Sequence, residues 1–387
     1  MIRKQLNVLK PALTLVVSLS VSATALGQTS PELARLYDAF TVTHAAALNA
    51  IAEANNDPEF AQARAEMRQH LEQMQEQASS HQSHGQMMSH GMMPASDSSH
   101  AHKPDMDKLD LQTRVELTHV VRAEHSDTAA ADAYSNIAWL PREAAMVLAR
   151  GRQFEDKLWD IWANPDMGVN AKSQATQAVI EEYRTGETRH AISVRPKPAS
   201  LYLDHDYAGS LKSAYPRVSG LLWSNQWLQL ASLEAIIRGQ VDPQFQGRVT
   251  DTLERYENKL GSGSGMSMFP APVEMPTVPT IAPTLYTLAP EASIIVDNLN
   301  MLDAAITDIV AYPDLDAQTR EQAILNKVAQ FTDENIATDD MSYLLSALRG
   351  GIYNQGGPAI GELMGSERNR SRDAMGMQHH MSMSGPN

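Results

Sequence analysis

The stretch "GLLWSNQWLQLASLEAII", residues 220–237, places Leu, Trp, Ala and Ile on most sides of an α-helix. Such a helix buries its apolar residues only if other helices surround it. The chain must therefore supply several amphipathic partners, and this segment is the expected central core helix. Trp223 and Trp227 within it read as packing residues, because an indole buries a large area; an aromatic ligand box is the functional alternative.

Partner helices are signalled repeatedly. Ser30-Pro31-Glu32 sets a cap, a first-turn proline and an acid ahead of a periodic stretch, and Asp57-Pro58-Glu59 and Asp242-Pro243 repeat the device. Helices are expected near 31–55, 58–79, 107–134, 141–163, 171–185, 218–239, 243–260, 291–311, 316–332 and 339–349. In one of them Val147, Phe154, Leu158 and Ile161 share a face, beside Trp159 and Trp162. Convincing strand signals are absent, so the fold is read as mainly α, a multi-helix bundle. The main helical domain is placed at 28–260. After it, "GSGSGMSMFPAPVEMPTVPTIAPTLYTLAP" (261–290) begins flexibly, and its six prolines between Pro270 and Pro290 predict an extended linker or strap. A C-terminal helical segment follows at 291–350. There Ile295, Leu299, Leu302, Ile306 and Ile309 form the seam of a small hairpin or bundle, packed on the helices after it or back on the main domain. Asp297, Asp303 and Asp308 read as its polar side. The tail, 351–387, is expected to be disordered.

The first 27 residues are a separate element. Arg3, Lys4 and Lys10 precede an apolar run from Ala12 to Val21 and a small-residue site at Ala25-Leu26-Gly27, the plan of a secretory signal peptide cleaved before Gln28. The apolar run is about half of the roughly 20 residues that a spanning helix needs, so no membrane span is expected after cleavage. The protein is thus expected in the periplasm or secreted. Removing those three positive charges, with no negative ones, takes the formal charge from −15 to −18. A surface so anionic excludes nucleic acid as the natural partner and favours cations. The chain has no cysteine. Disulfides and a type 1 copper centre are excluded, and methionine is left as the main soft ligand.

Methionine and histidine are concentrated in two places. "HQSHGQMMSHGMMPASDSSHAHKPDM", residues 81–106, holds His81, His84, His90, His100 and His102 with Met87, Met88, Met92, Met93 and Met106. The tail repeats the composition as Met375, Met377, His379, His380, Met381 and Met383. Imidazole suits Cu(II), Zn(II) and Ni(II), whereas thioether sulfur selects Cu(I) or Ag(I). A segment carrying both serves copper in either oxidation state, while Gly, Ser and Pro let the chain wrap an ion. A polar connector has no need of methionine pairs, which are apolar and easily oxidised. In composition these segments resemble the Met/His-rich segments of periplasmic copper- and silver-binding proteins. The likeness covers only the two segments and says nothing about the helical body.

The leading expectation is an exported copper-binding protein for buffering, resistance or delivery, without required catalysis. Its partner would be a periplasmic copper exporter, an oxidase or another metal-accepting protein, and zinc or nickel is the alternative metal. A second expectation rests on Glu116-Leu117-Thr118-His119 and Glu187-Thr188-Arg189-His190. Two Glu-x-x-His pairs resemble the ligand set of ferritin-like di-iron or di-manganese oxidoreductases, with Glu143 or Glu155 as completing ligands. "GETRH" beside "RPKP" disfavours a helix at His190. A third is a non-catalytic helical interaction scaffold. His44 reads as a core residue, and Asp204-His205-Asp206 as a solvated turn or helix start. No Gly-x-Ser-x-Gly elbow, Walker loop or dinucleotide fingerprint occurs.

Overall fold

Prolines start many of the helices, as the cap signals require, and more often than expected. The computed structural model describes residues 31–82, 104–186, 188–245, 247–261 and 274–354. In chain order the α-helices are α1 (Pro31–Ala54), α2 (Ala61–Gln82), α3 (Pro104–Arg122), α4 (Asp127–Asp132), α5 (Arg142–Ala163), α6 (Val169–Gly186), α7 (Ser200–Leu203) and α8 (Ser210–Ala214). They continue as α9 (Pro216–Val241), α10 (Arg248–Gly261), α11 (Val278–Ile281), α12 (Pro283–Leu288), α13 (Pro290–Ala311), α14 (Ala317–Thr332) and α15 (Asp340–Asn354). No strand occurs among the described residues, and the protein is mainly helical.

Three expectations about local structure change. The helix read over 107–134 is two, because the Ser126 side chain accepts the Ala129 N–H and starts α4 afresh. The C-terminal part of the proline-rich segment is not extended: Pro279, Pro283 and Pro290 stand in the first turns of α11, α12 and α13. A proline there loses nothing, since first-turn N–H groups have no intrahelical partner. The third change concerns the α13 carboxylates. Asp297 and Asp303 are buried and Asp308 is largely covered, so they do not form a solvated side.

Two helices lie at the centre. α9 is buried along most of its length and packs against α1, α3, α5, α8, α10, α11 and α12, as its apolar circumference requires. α13 is its equal. Ile295, Leu299, Leu302 and Ile306 are inaccessible, and the helix packs against α1, α5, α8 and α14. The α13 seam thus packs both on the helix after it, α14, and back on the main helices, combining the two packings expected. One continuous apolar core runs from Leu33 to Phe331. α5 approaches α13 closely at Gly151, where a Cβ would stand 2.5 Å from Leu299 Cδ1. Any larger residue there would force the buried Leu299 side chain to shift.

Buried charges at helix ends hold the short elements in place. Four carboxylates accept backbone N–H groups from the first turns of other helices. Asp297 accepts from Val278 at 2.9 Å, opening α11, and also from the Tyr343 hydroxyl at 2.6 Å. Asp308 accepts from Gly209 and Leu211 at 3.0 and 2.9 Å, opening α8, where Gly209 has φ +78°. Asp110 serves Arg217 and Val218 at the start of α9, and Glu234 serves Thr284 and Leu285 in α12. First-turn N–H groups otherwise have no partner, and the helix dipole favours negative charge there. Buried lysines do the reverse. Lys172 Nζ donates to the Trp162 carbonyl at the end of α5, and Lys197 Nζ to the Asp333 and Ile336 carbonyls just after α14. Burial lowers both lysines to about 8, so each ammonium is held by carbonyls rather than by a counter-ion.

Candidate functional site

The residues expected to bind copper divide into those the structure describes and those it does not. His84, Met87, Met88, His90, Met92, Met93, His100 and His102 lie outside the described residues. So do Met375, Met377, His379, His380, Met381 and Met383, and the expected signal peptide. His81 falls in the last turn of α2. Met106 changes role: it lies in the first turn of α3, is 3% exposed and belongs to the apolar core. The Met/His-rich connector is therefore bracketed by α2 and α3, and its ligand-rich part ends before Pro104.

The Glu-x-x-His pairs do not converge. Glu116 and His119 are exposed on α3. α6 ends at Gly186, Glu187 lies outside the described residues, and His190 sits in a separate 3₁₀ turn, Thr188–His190. His190 Nε2 instead accepts from Arg189 Nε at 2.9 Å. The shared helix face required by an i, i+3 pair is thus absent at His190, and Glu116 faces away from the interior. Glu143 is exposed as well. Among the described residues no group of three or more His, Asp or Glu side chains is arranged to hold a metal ion. Asp204 and Asp206 are exposed in a turn, as expected, with His205 half-buried between them and lowered to about 4, chiefly by burial.

The interior does contain one ionic centre, built from residues far apart in sequence. α1 contributes Tyr37 and His44, α5 contributes Arg152 and Glu155, α13 contributes Asn300 and Asp303, and Tyr134 comes from the turn after α4; all are buried. The Arg152 guanidinium donates to Glu155 Oε2 at 2.7 Å, Asp303 Oδ2 at 2.8 Å and Asn300 Oδ1 at 3.1 Å. Burial opposes its charge, but Glu155, Tyr134 and Asp303 outweigh that and hold it firmly protonated. Burial raises Glu155, against the pull of Arg152. The centre of this constellation is the Arg152 guanidinium, and Glu155, read as a completing metal ligand, is its partner.

His44 is oriented by its own helix. Its Nδ1 lies 2.9 Å from the Phe40 carbonyl, an acceptor only, so Nδ1 carries the proton. Nε2 then presents a lone pair 3.8 Å from Asp303 Oδ2. Burial lowers His44 from its ordinary value, and Asp303 opposes that shift. His44 Nε2, Asp303 Oδ1, Arg152 Nε and the hydroxyls of Tyr37 and Tyr134 have no hydrogen bond of full geometry to the protein. A buried polar group left unmade costs about 1–3 kcal/mol, so several in one place form an unusual concentration. Single positions in the sequence carry no signal for this centre, because His44 and Asp303 are brought together only by packing of α1 on α13.

A cavity of about 210 Å³ opens elsewhere, beneath α15, with Tyr202, Met275, Met301 and Tyr343 among its lining residues. It is smaller than the usual range for small-molecule sites. Among the described residues no helix is long and apolar enough to cross a membrane. Compared with protein-family models, curated proteins and solved structures, the chain matches none.

Proposed function

We propose that this is an exported copper-binding protein whose Met/His-rich segments capture Cu(I) and Cu(II) for buffering, resistance or delivery to a metal-accepting partner. The observation that carries the reading is the interleaving of thioether and imidazole in two separate segments of a cysteine-free chain. Pairs such as Met87-Met88 and Met92-Met93 supply soft sulfur for Cu(I), and His84, His90, His100 and His102 supply nitrogen for Cu(II). Export rests on the charged, apolar and small-residue succession of the first 27 residues.

The helical body acts as the scaffold in this reading. Asp110, Glu234, Asp297 and Asp308 already cap helices and Glu155 and Asp303 neutralise Arg152, which leaves these six poor candidates for exchangeable metal ligands. Capture by the segments then proceeds by exchange among neighbouring Met and His side chains, at the cost of ordering the chain around each ion.

The test compares Cu(I) and Cu(II) stoichiometry, by competition with a chromophoric chelator, for the full chain and for a form lacking 83–103 and 375–383. The deletion stops at 103 because Pro104 and Met106 belong to α3. Loss of most bound copper is expected, and unchanged stoichiometry overturns the proposal.

A further inference from the structure

The His44 centre has two features that its packing role does not require. First, the orientation of His44 toward Phe40 turns a lone pair, not a proton, toward a carboxylate. At 3.8 Å the two acceptors are too far apart for a hydrogen bond and have nothing between them to share. Second, one guanidinium faces two buried carboxyl groups, Glu155 at 2.7 Å and Asp303 at 2.8 Å, with His44 beside the latter. Every facing element contributes: Tyr37 and His44 from α1, Tyr134 from the turn after α4, Arg152 and Glu155 from α5, and Asn300 and Asp303 from α13, with Asp38 and Asp156 reaching Tyr37 electrostatically. Glu155 is satisfied directly by Arg152 at 2.7 Å, whereas His44 Nε2 and Asp303 Oδ1 are not satisfied by the protein.

We propose that this centre is an internal binding site that holds one water molecule between His44 and Asp303 and exchanges it for one proton. In the unprotonated state the water donates its two hydrogens to His44 Nε2 and Asp303 Oδ1. Two buried acceptors without a protein donor match a molecule with two donors, and Arg152 Nε–H and the Tyr37 and Tyr134 hydroxyls are the donors of this centre without a protein acceptor. On acidification a proton from solvent adds to Nε2, the water leaves to solvent, and imidazolium and carboxylate then form a direct ion pair; no covalent bond other than N–H forms and no electron moves. Burial and Arg152 hold this uptake below the ordinary histidine range, and Asp303 brings it back toward that range. The centre joins α1, α5 and α13, so its occupancy is felt where the longest buried faces meet.

The test is ¹⁵N and ¹³C NMR of the full chain, with His44 assigned through its backbone. At pH 8 the expected state is the neutral tautomer with the proton on Nδ1, with a water contact to the ring. Below pH 6.5 His44 is expected to take up one proton. Asp303→Asn should move that midpoint down by at least one pH unit, a tenfold loss of proton affinity. A tautomer with the proton on Nε2, or a midpoint that Asp303→Asn leaves in place, overturns the proposal. Should Asp303→Asn not fold, the wild-type Asp303 carboxyl ¹³C shift decides: it must inflect at the His44 midpoint, and an independent inflection overturns the proposal.

Discussion

Asp297 and Asp303 lie on the same helix, fewer than two turns apart, both out of contact with solvent. Asp297 accepts backbone N–H groups and a tyrosine hydroxyl and so closes the start of α11, whereas Asp303 shares Arg152 with Glu155 and keeps one oxygen without a protein partner. The difference teaches what burial of a carboxylate accomplishes in this bundle. At helix ends it replaces water for N–H groups that have no other acceptor. At the centre it neutralises a guanidinium, and the match is incomplete.

The largest way to break the comparison is Arg152→Ala. It leaves Glu155 and Asp303 buried without their cation, and urea denaturation should show a loss of about 3–5 kcal/mol. Replacing Arg152, Glu155 and Asp303 together by apolar residues of similar size should cost much less, because no uncompensated charge remains. An equal cost for both variants would show that packing, not charge balance, defines the centre. Asp297→Ala comes next. It removes the cap of α11 and the acceptor of Tyr343, and a loss of about 1–3 kcal/mol is expected in the same assay.

The pH dependence of stability separates the two groups by sign. Burial pushes Asp297 and Asp308 up to about 7. Carboxyls in the unfolded chain titrate near 4, so between about 4 and 7 the folded state binds more protons and stability falls as pH rises. His44 acts oppositely: its lowered value makes the unfolded chain the stronger proton binder below about 6.5, so acidification there reduces stability. The lowered His205 acts in the same sense as His44, but the rise of Asp297 and Asp308 to about 7 outweighs the two histidines, so the melting temperature should be higher at pH 5.5 than at pH 8.0, and Asp297→Asn should flatten the profile. A melting temperature that drops on acidification from 8.0 to 5.5 would contradict this assignment. The smallest effect is expected outside the bundle. Replacing 83–103 by a short Gly/Ser connector should change stability by less than about 1 kcal/mol, since loop length enters only logarithmically.

The long helices were legible because their start signals and apolar periodicity are local. Pro31 opens a helix as its start signal predicts, and the Ile295 to Ile309 seam is buried throughout. α7, α8, α11 and α12 were not legible, because four to six residues cannot display a 3.6-residue period. The prolines of the strap misled for a related reason: a proline near the start of a short helix looks like a proline in extended chain. The α13 aspartates did carry a usable signal. At about 100° per residue, Asp297 and Asp308 fall roughly 20° apart and Asp303 about 120° from Asp297, so the three never shared one polar side. The His44 centre had no such signal, since its members converge only through α1, α5 and α13.

For the proposed copper chemistry the consequence is specific. Asp110, Glu234, Asp297 and Asp308 are engaged by N–H groups and Glu155 and Asp303 by Arg152, so copper held by the full chain should not be held by these carboxylates. X-ray absorption at the copper edge on the Cu(I)-loaded full chain tests this most directly. A first shell of sulfur, with nitrogen, is the predicted result and places the ion on methionine and histidine. A shell dominated by oxygen would contradict the account.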